Sequence, residues 1–103
     1  MKIKYELQPQ PKTVDAFAVK HDLTMKVVER KDTSLPRYYA EFEHAEVKIG
    51  SCLHGYYGNG WTPEEAISDY VDRIQGHTLV INATSKDRKE IFVPTKLIKV
   101  WYE

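Results

Sequence analysis

Chemistry in this chain would have to gather around Cys52 and His54, which stand two residues apart downstream of Glu41, Glu43 and His44. A histidine beside a carboxylate is the pairing that moves protons, so His54 with Glu41 or Glu43 is the arrangement an acid–base enzyme would use. A Cys-x-His pair also offers two ligands to zinc. A zinc site needs further ligands at matched spacing, and no second paired-ligand motif occurs; the four histidines are scattered. Nothing in the sequence implies a cation or fixed base beside Cys52 to activate its thiol. The residues therefore predict no catalytic site, no metal and no cofactor. A small enzyme built on His54 and Glu41 or Glu43 is the minor alternative.

The tyrosines carry a different signal. Tyr38-Tyr39 and Tyr56-Tyr57 are adjacent pairs in two expected neighbouring strands, and period-2 geometry sends one member of each pair inward. With Tyr38, Ala40 and Phe42 facing the core, Tyr39, Glu41 and Glu43 face out. With Leu53 and Tyr57 facing in, Cys52, His54 and Tyr56 face out. This places Tyr39, Glu41, Glu43, His54 and Tyr56 on one exposed sheet face, the candidate protein-binding surface. The plainer reading is that the rings form ordinary cross-strand pairs.

Lys86, Arg88 and Lys89 form a basic tip on the expected C-terminal hairpin, and Lys96 and Lys99 extend it. Such a tip suits phosphates and is the candidate site for the nucleic-acid alternative. Asp87 and Glu90 offset part of its charge. Across the whole chain, fifteen Lys and Arg balance fifteen Asp and Glu, which removes the global field expected of polyanion binders.

These side chains depend on the elements that hold them. Thr62 reads as a helix N-cap, with Pro63 at the first helical position and Glu65 three residues after the cap. The helix predicted over Pro63 to Gln75 has an apolar stripe of Ala66, Ile67, Tyr70, Val71 and Ile74, with Gly76 as its stop. Gly58-Asn59-Gly60 before it reads as a tight turn of residues that accept positive φ. Thr13 caps a shorter helix ending near His21. Strands are expected over Met1–Leu7, Leu23–Arg30, Arg37–His44, Cys52–Tyr57, Thr78–Ala83 and Glu90–Val93. Glu46 to Ile49 is ambiguous between turn and strand.

The resulting order is β-α-β-β-β-α-β-β. The prediction is an α+β fold: a three-strand antiparallel meander and a C-terminal hairpin, with two helices packed on one face. At 103 residues and 42% hydrophobic, the chain has room for one domain with one core, with residues 1–12 and 95–103 more loosely ordered. One cysteine excludes an internal disulfide, and no apolar run reaches signal or membrane length. The chain reads as soluble and cytoplasmic, with no membrane partner. An unpaired sheet edge would permit a homodimer.

Several runs carry a family resemblance. Tyr39-Ala40-Glu41-Phe42, Gly58-Asn59-Gly60, Thr62-Pro63-Glu64-Glu65-Ala66-Ile67-Ser68-Asp69-Tyr70, Gly76-His77-Thr78-Leu79-Val80 and Arg88-Lys89-Glu90-Ile91-Phe92-Val93-Pro94 resemble a family of small uncharacterised proteins. That family is encoded by phages and prophages of Gram-positive bacteria, and the resemblance covers about Phe17 to Val93. It implies phage provenance and no specific activity. A more distant resemblance, through Thr62-Pro63-Glu64-Glu65-Ala66, is to the partial double-stranded-RNA-binding fold of the HicB antitoxin. Glu64 and Glu65 stand where such domains need cations for phosphates. The sequence thus reads as a phage accessory protein that binds a host or phage protein, with the basic tip as the nucleic-acid alternative.

Overall fold

The Thr13 hydroxyl accepts a hydrogen bond from the Ala16 N–H at 3.2 Å and so opens α1 (Val14–His21) at the residue expected to cap it. Asp22 closes the helix in the left-handed region, φ 54°. The computed structural model describes residues 13–32 and 34–97. After α1 come β1 (Met25–Glu29), β2 (Tyr38–Phe42), β3 (Ala45–Ile49), β4 (Cys52–His54) and β5 (Gly58–Gly60). Then follow α2 (Pro63–Ile74), β6 (Thr78–Ile81) and β7 (Lys89–Phe92). The expected strand over Met1–Leu7 lies outside the described residues, as does the chain from 98 to 103.

The fold is α+β, and its strands are all antiparallel, but they form two sheets where one was expected. The first has the order β1-β2-β5 and the second β4-β3-β6-β7. A single ribbon serves both. Its first strand runs through β2 and β3, and its second through β4 and β5. Ala40 faces Gly58 in one sheet and Val47 faces His54 in the other. Seven residue steps on the first strand, 40 to 47, therefore span only four on the second, 54 to 58. The surplus residues leave the ladder at Glu43 and His44, where His44 takes φ 60°. There the sheet forks.

The second sheet is anchored across the fork, because the His44 carbonyl accepts the Asn82 N–H at 3.0 Å and Asn82 is itself left-handed. Gly76 ends the α2 region with φ 77° as expected, and its N–H bonds the Val93 carbonyl at 2.9 Å. Leu97 is buried, its N–H donating to Gln75 Oε1 at 2.9 Å.

α2 begins on the cap predicted for it. Thr62 Oγ1 accepts the Glu65 N–H at 3.1 Å, while Glu65 Oε2 accepts the Trp61 N–H, one residue before the cap, at 2.9 Å. The stripe of Ala66, Ile67, Tyr70, Val71 and Ile74 is fully buried. It meets Val14 and Phe17 of α1, Phe42 of β2, and Val47, Leu79 and Ile91 of the second sheet in one core. Phe42 packs edge-on to Tyr70 at 5.6 Å between centroids and lies 6.1 Å from Phe17. Among the described residues, no helix is long and apolar enough to cross a membrane.

Gly58 and Gly60 correct the sequence reading. Neither takes positive φ; both lie extended in β5. A Cβ on Gly58 would collide with the Tyr70 and Ala66 backbone, and one on Gly60 with that of Ala66 and Glu65. The glycines are there because α2 lies directly on the strand.

Candidate functional site

The ladder of β2 sorts its side chains as its alternation requires. Ala40 and Phe42 are buried and Tyr38 packs against the core, while Tyr39 and Glu41 take the outer face. On that face the Lys26 ammonium, opposite Glu41 in register, lies 3.3 Å from its carboxylate.

The other expected members of that surface go elsewhere. His54 is exposed and Leu53 half-buried, as expected, but His54 pairs with Val47 in β4 of the second sheet and so lies apart from Tyr39 and Glu41. Tyr56 packs against the core, between the rings of His54 at 6.5 Å and His77 at 6.3 Å. Tyr57 is the outward ring, 48% exposed. The reason is local: residues 55–57 belong to no strand, so the count by twos from Leu53 is broken before it reaches the tyrosines. Glu43 lies exposed beyond the end of β2, its N–H donating to the Thr24 carbonyl at 2.9 Å. Tyr39, Glu41, Glu43, His54 and Tyr56 therefore do not share one face. His54 and Glu41 sit in different sheets, with Tyr56 and Lys26 as their neighbours. Among the described residues, no three His, Cys, Asp or Glu side chains converge as metal ligands.

A different cluster forms around Tyr39. Arg30 follows β1 directly, and its guanidinium reaches across β2. Nη2 donates to Asn59 Oδ1 at 2.6 Å, and Nη1 donates to the carbonyls of Pro36 at 2.9 Å and Tyr38 at 3.4 Å. The guanidinium carbon then lies 5.0 Å from the Tyr39 ring centroid and 5.9 Å from that of Tyr57. The two rings meet edge to face at 6.1 Å. These three residues line a shallow slot of about 220 Å³.

The slot is tied to α2. The Asn59 N–H donates to Asp69 Oδ2 at 2.8 Å, and the same oxygen accepts from Arg73 Nε at 3.1 Å. Helix, strand and guanidinium are thus linked in series, and side chains locked in this way hold a surface in one shape. Arg30 also borders a hollow of about 820 Å³ walled by Leu35, Arg37 and Trp61, with Trp61 60% exposed. Tyr57, Asn59 and Trp61 alternate with the two buried glycines, and that alternation is the sequence signal for the missed residues. Arg30 had no such signal, because nothing local announces a side chain that crosses a strand.

The basic tip is partly engaged by the protein itself. Arg88 lies 3.5 Å from Glu90 and donates to the Ala83 carbonyl at 3.4 Å, while the Lys89 ammonium donates to the His21 carbonyl at 2.7 Å. Lys86 is exposed in the loop before β7. Comparison of the chain with protein-family models, with curated proteins and with solved structures returns no match.

Proposed function

We propose that this chain is a non-catalytic binding module that receives a protein partner on the outer face of its three-stranded sheet, centred on Arg30, Tyr39 and Tyr57. The observation that carries the reading is the guanidinium of Arg30 held over two outward phenol rings. Tyrosine, tryptophan and arginine are the side chains that dominate binding energy at protein interfaces, and rigid rings lose little entropy on contact. Trp61 and Leu35 extend the apolar area next to the slot. The charges nearby are mostly answered within the molecule, Lys26 by Glu41 and Arg37 by Glu29 at 2.6 Å. Arg30 itself is held by neutral acceptors and keeps its charge, yet the face carries little excess charge, which suits a protein better than a polyanion. The resemblance of the sequence to small phage proteins supports a host or phage protein as the partner.

The test is affinity capture from infected host lysate with the wild-type chain and with the Tyr39→Ala/Tyr57→Ala double variant. The wild type is expected to retain a protein that the double variant loses. Equal recovery by both would remove this face from the account.

A further inference from the structure

A second concavity lies away from the tyrosine face. It runs between the last turn of α1 and β7, is about 840 Å³ in volume, and is walled by Lys20, His21, Lys89, Phe92 and Lys96. The Lys89 ammonium donates to the His21 carbonyl at 2.7 Å, a contact between strand and helix across the groove. We infer that this groove is a docking site for an acidic peptide segment bearing apolar side chains.

Charge is the first argument. Lysines 20, 89 and 96 and the His21 imidazole face one carboxylate, Glu90. That carboxylate is already held by Lys48 at 3.0 Å and Arg88 at 3.5 Å. The groove is thus strongly basic in a chain whose total charge is balanced. One of the three N–H donors of Lys89 is used by the helix, which leaves two for a ligand. The field is felt at His21, whose pKa lies below the ordinary value through partial burial and the nearby charges of Lys20 and Lys89.

Shape and polarity are the second. Phe92 is 60% exposed at the end of β7 and stands beside Pro94 in the wall, an apolar anchor among the cations. Among the described residues, β7 pairs with β6 on one side and with no strand on the other. An extended segment fits such an edge, with alternate side chains meeting the phenyl ring and the ammonium groups. A groove with one aromatic ring suits a chain segment better than a flat bilayer, which calls for a broader apolar face.

The probe is the hexapeptide Glu-Leu-Glu-Leu-Glu-Leu, titrated into the isotope-labelled protein and followed by NMR. Binding is expected to perturb the amides of Lys20, Lys89, Phe92 and Lys96. The glutamine analogue of the peptide should bind at least about tenfold more weakly, as should the Lys20→Glu/Lys96→Glu variant toward the original peptide. Phe92→Ser should weaken binding severalfold. The midpoint of His21, which is lowered in part by Lys20 and Lys89 and shares the groove with Glu90 and Lys96, should rise when the acidic peptide is bound. The Tyr39→Ala/Tyr57→Ala variant should bind the hexapeptide as the wild type does, so the two surfaces fail or succeed separately. Equal affinity of the charge-reversed variant, with its folded spectrum intact, would overturn the inference. So would binding to phosphatidylserine vesicles or to a single-stranded oligonucleotide without binding to the peptide.

Discussion

Arg30 and Asn59, 29 residues apart, are joined at 2.6 Å from guanidinium to side-chain carbonyl across the three-stranded sheet. The bond helps hold the guanidinium carbon 5.0 Å from the Tyr39 ring centroid and 5.9 Å from that of Tyr57, while Nη1 donates to two backbone carbonyls. A lysine keeps the charge but has neither the planar fork nor the stacking face. Arg30→Lys is therefore expected to cost about 1–2 kcal/mol in denaturant unfolding and to free both tyrosine rings, seen as altered ring NMR shifts. Asn59→Ala should reproduce much of the ring effect, and the double variant should be less than additive because the two residues share one interaction.

Gly58 supplies the sharpest contrast in the molecule. A methyl group there meets the Tyr70 backbone, which moves only if α2 lifts from β5, so Gly58→Ala is expected to cost about 3 kcal/mol or more. Gly55 has nothing within 4 Å of the same added atom and does not take positive φ. Gly55→Ala should leave stability unchanged or raise it by about 0.5 kcal/mol. Thermal unfolding of the two variants side by side measures the difference.

The start of α2 offers a third measurement. Removing the Thr62 hydroxyl leaves the Glu65 N–H without its acceptor, and Thr62→Ala should cost about 1 kcal/mol. Restoring a capping oxygen with Thr62→Ser should recover most of that loss in urea unfolding.

Acid and alkaline unfolding should report two different groups. The folded-state pKa of His21 is lowered, so the unfolded chain binds this proton first as pH falls. Stability is lost as pH falls through the ordinary histidine pKa, and His21→Gln should flatten that part of the Tm–pH curve. Burial raises Tyr70 to about 12, with hydrogen bonding to the Phe42 backbone acting in the opposite direction. Here the folded state keeps its proton longer, so stability declines as pH climbs above the unfolded value of 10. Tyr70→Phe should remove that decline, and in the wild type an ultraviolet titration should show this phenol ionising above the ordinary tyrosine value of 10.

The elements legible in the sequence were those fixed by local chemistry. Thr13 and Thr62 cap where their hydroxyls can reach free N–H groups, and the α2 stripe is buried residue for residue. The alternation of Tyr38 to Phe42 also holds, because β2 is regular. The site was half legible. Tyr39 and Glu41 lie outside and His54 is exposed, but His54 stands in the other sheet and Tyr56 packs on the core, since the residues around Gly55 interrupt the period of two. The role of Gly58 depends on a helix that starts five residues later and folds back over it. No pattern local to the glycine contains that contact. The fork at His44 was hidden for the same reason, because it arises from unequal lengths of two paired strands.

The forked ribbon leaves the molecule without a seam. The amides of Ala40 and Val47 lie in separate sheets, yet they belong to one uninterrupted length of backbone. Prising either sheet loose drags on the strand that builds the other. Deuterium should therefore enter both positions through one shared opening of the molecule.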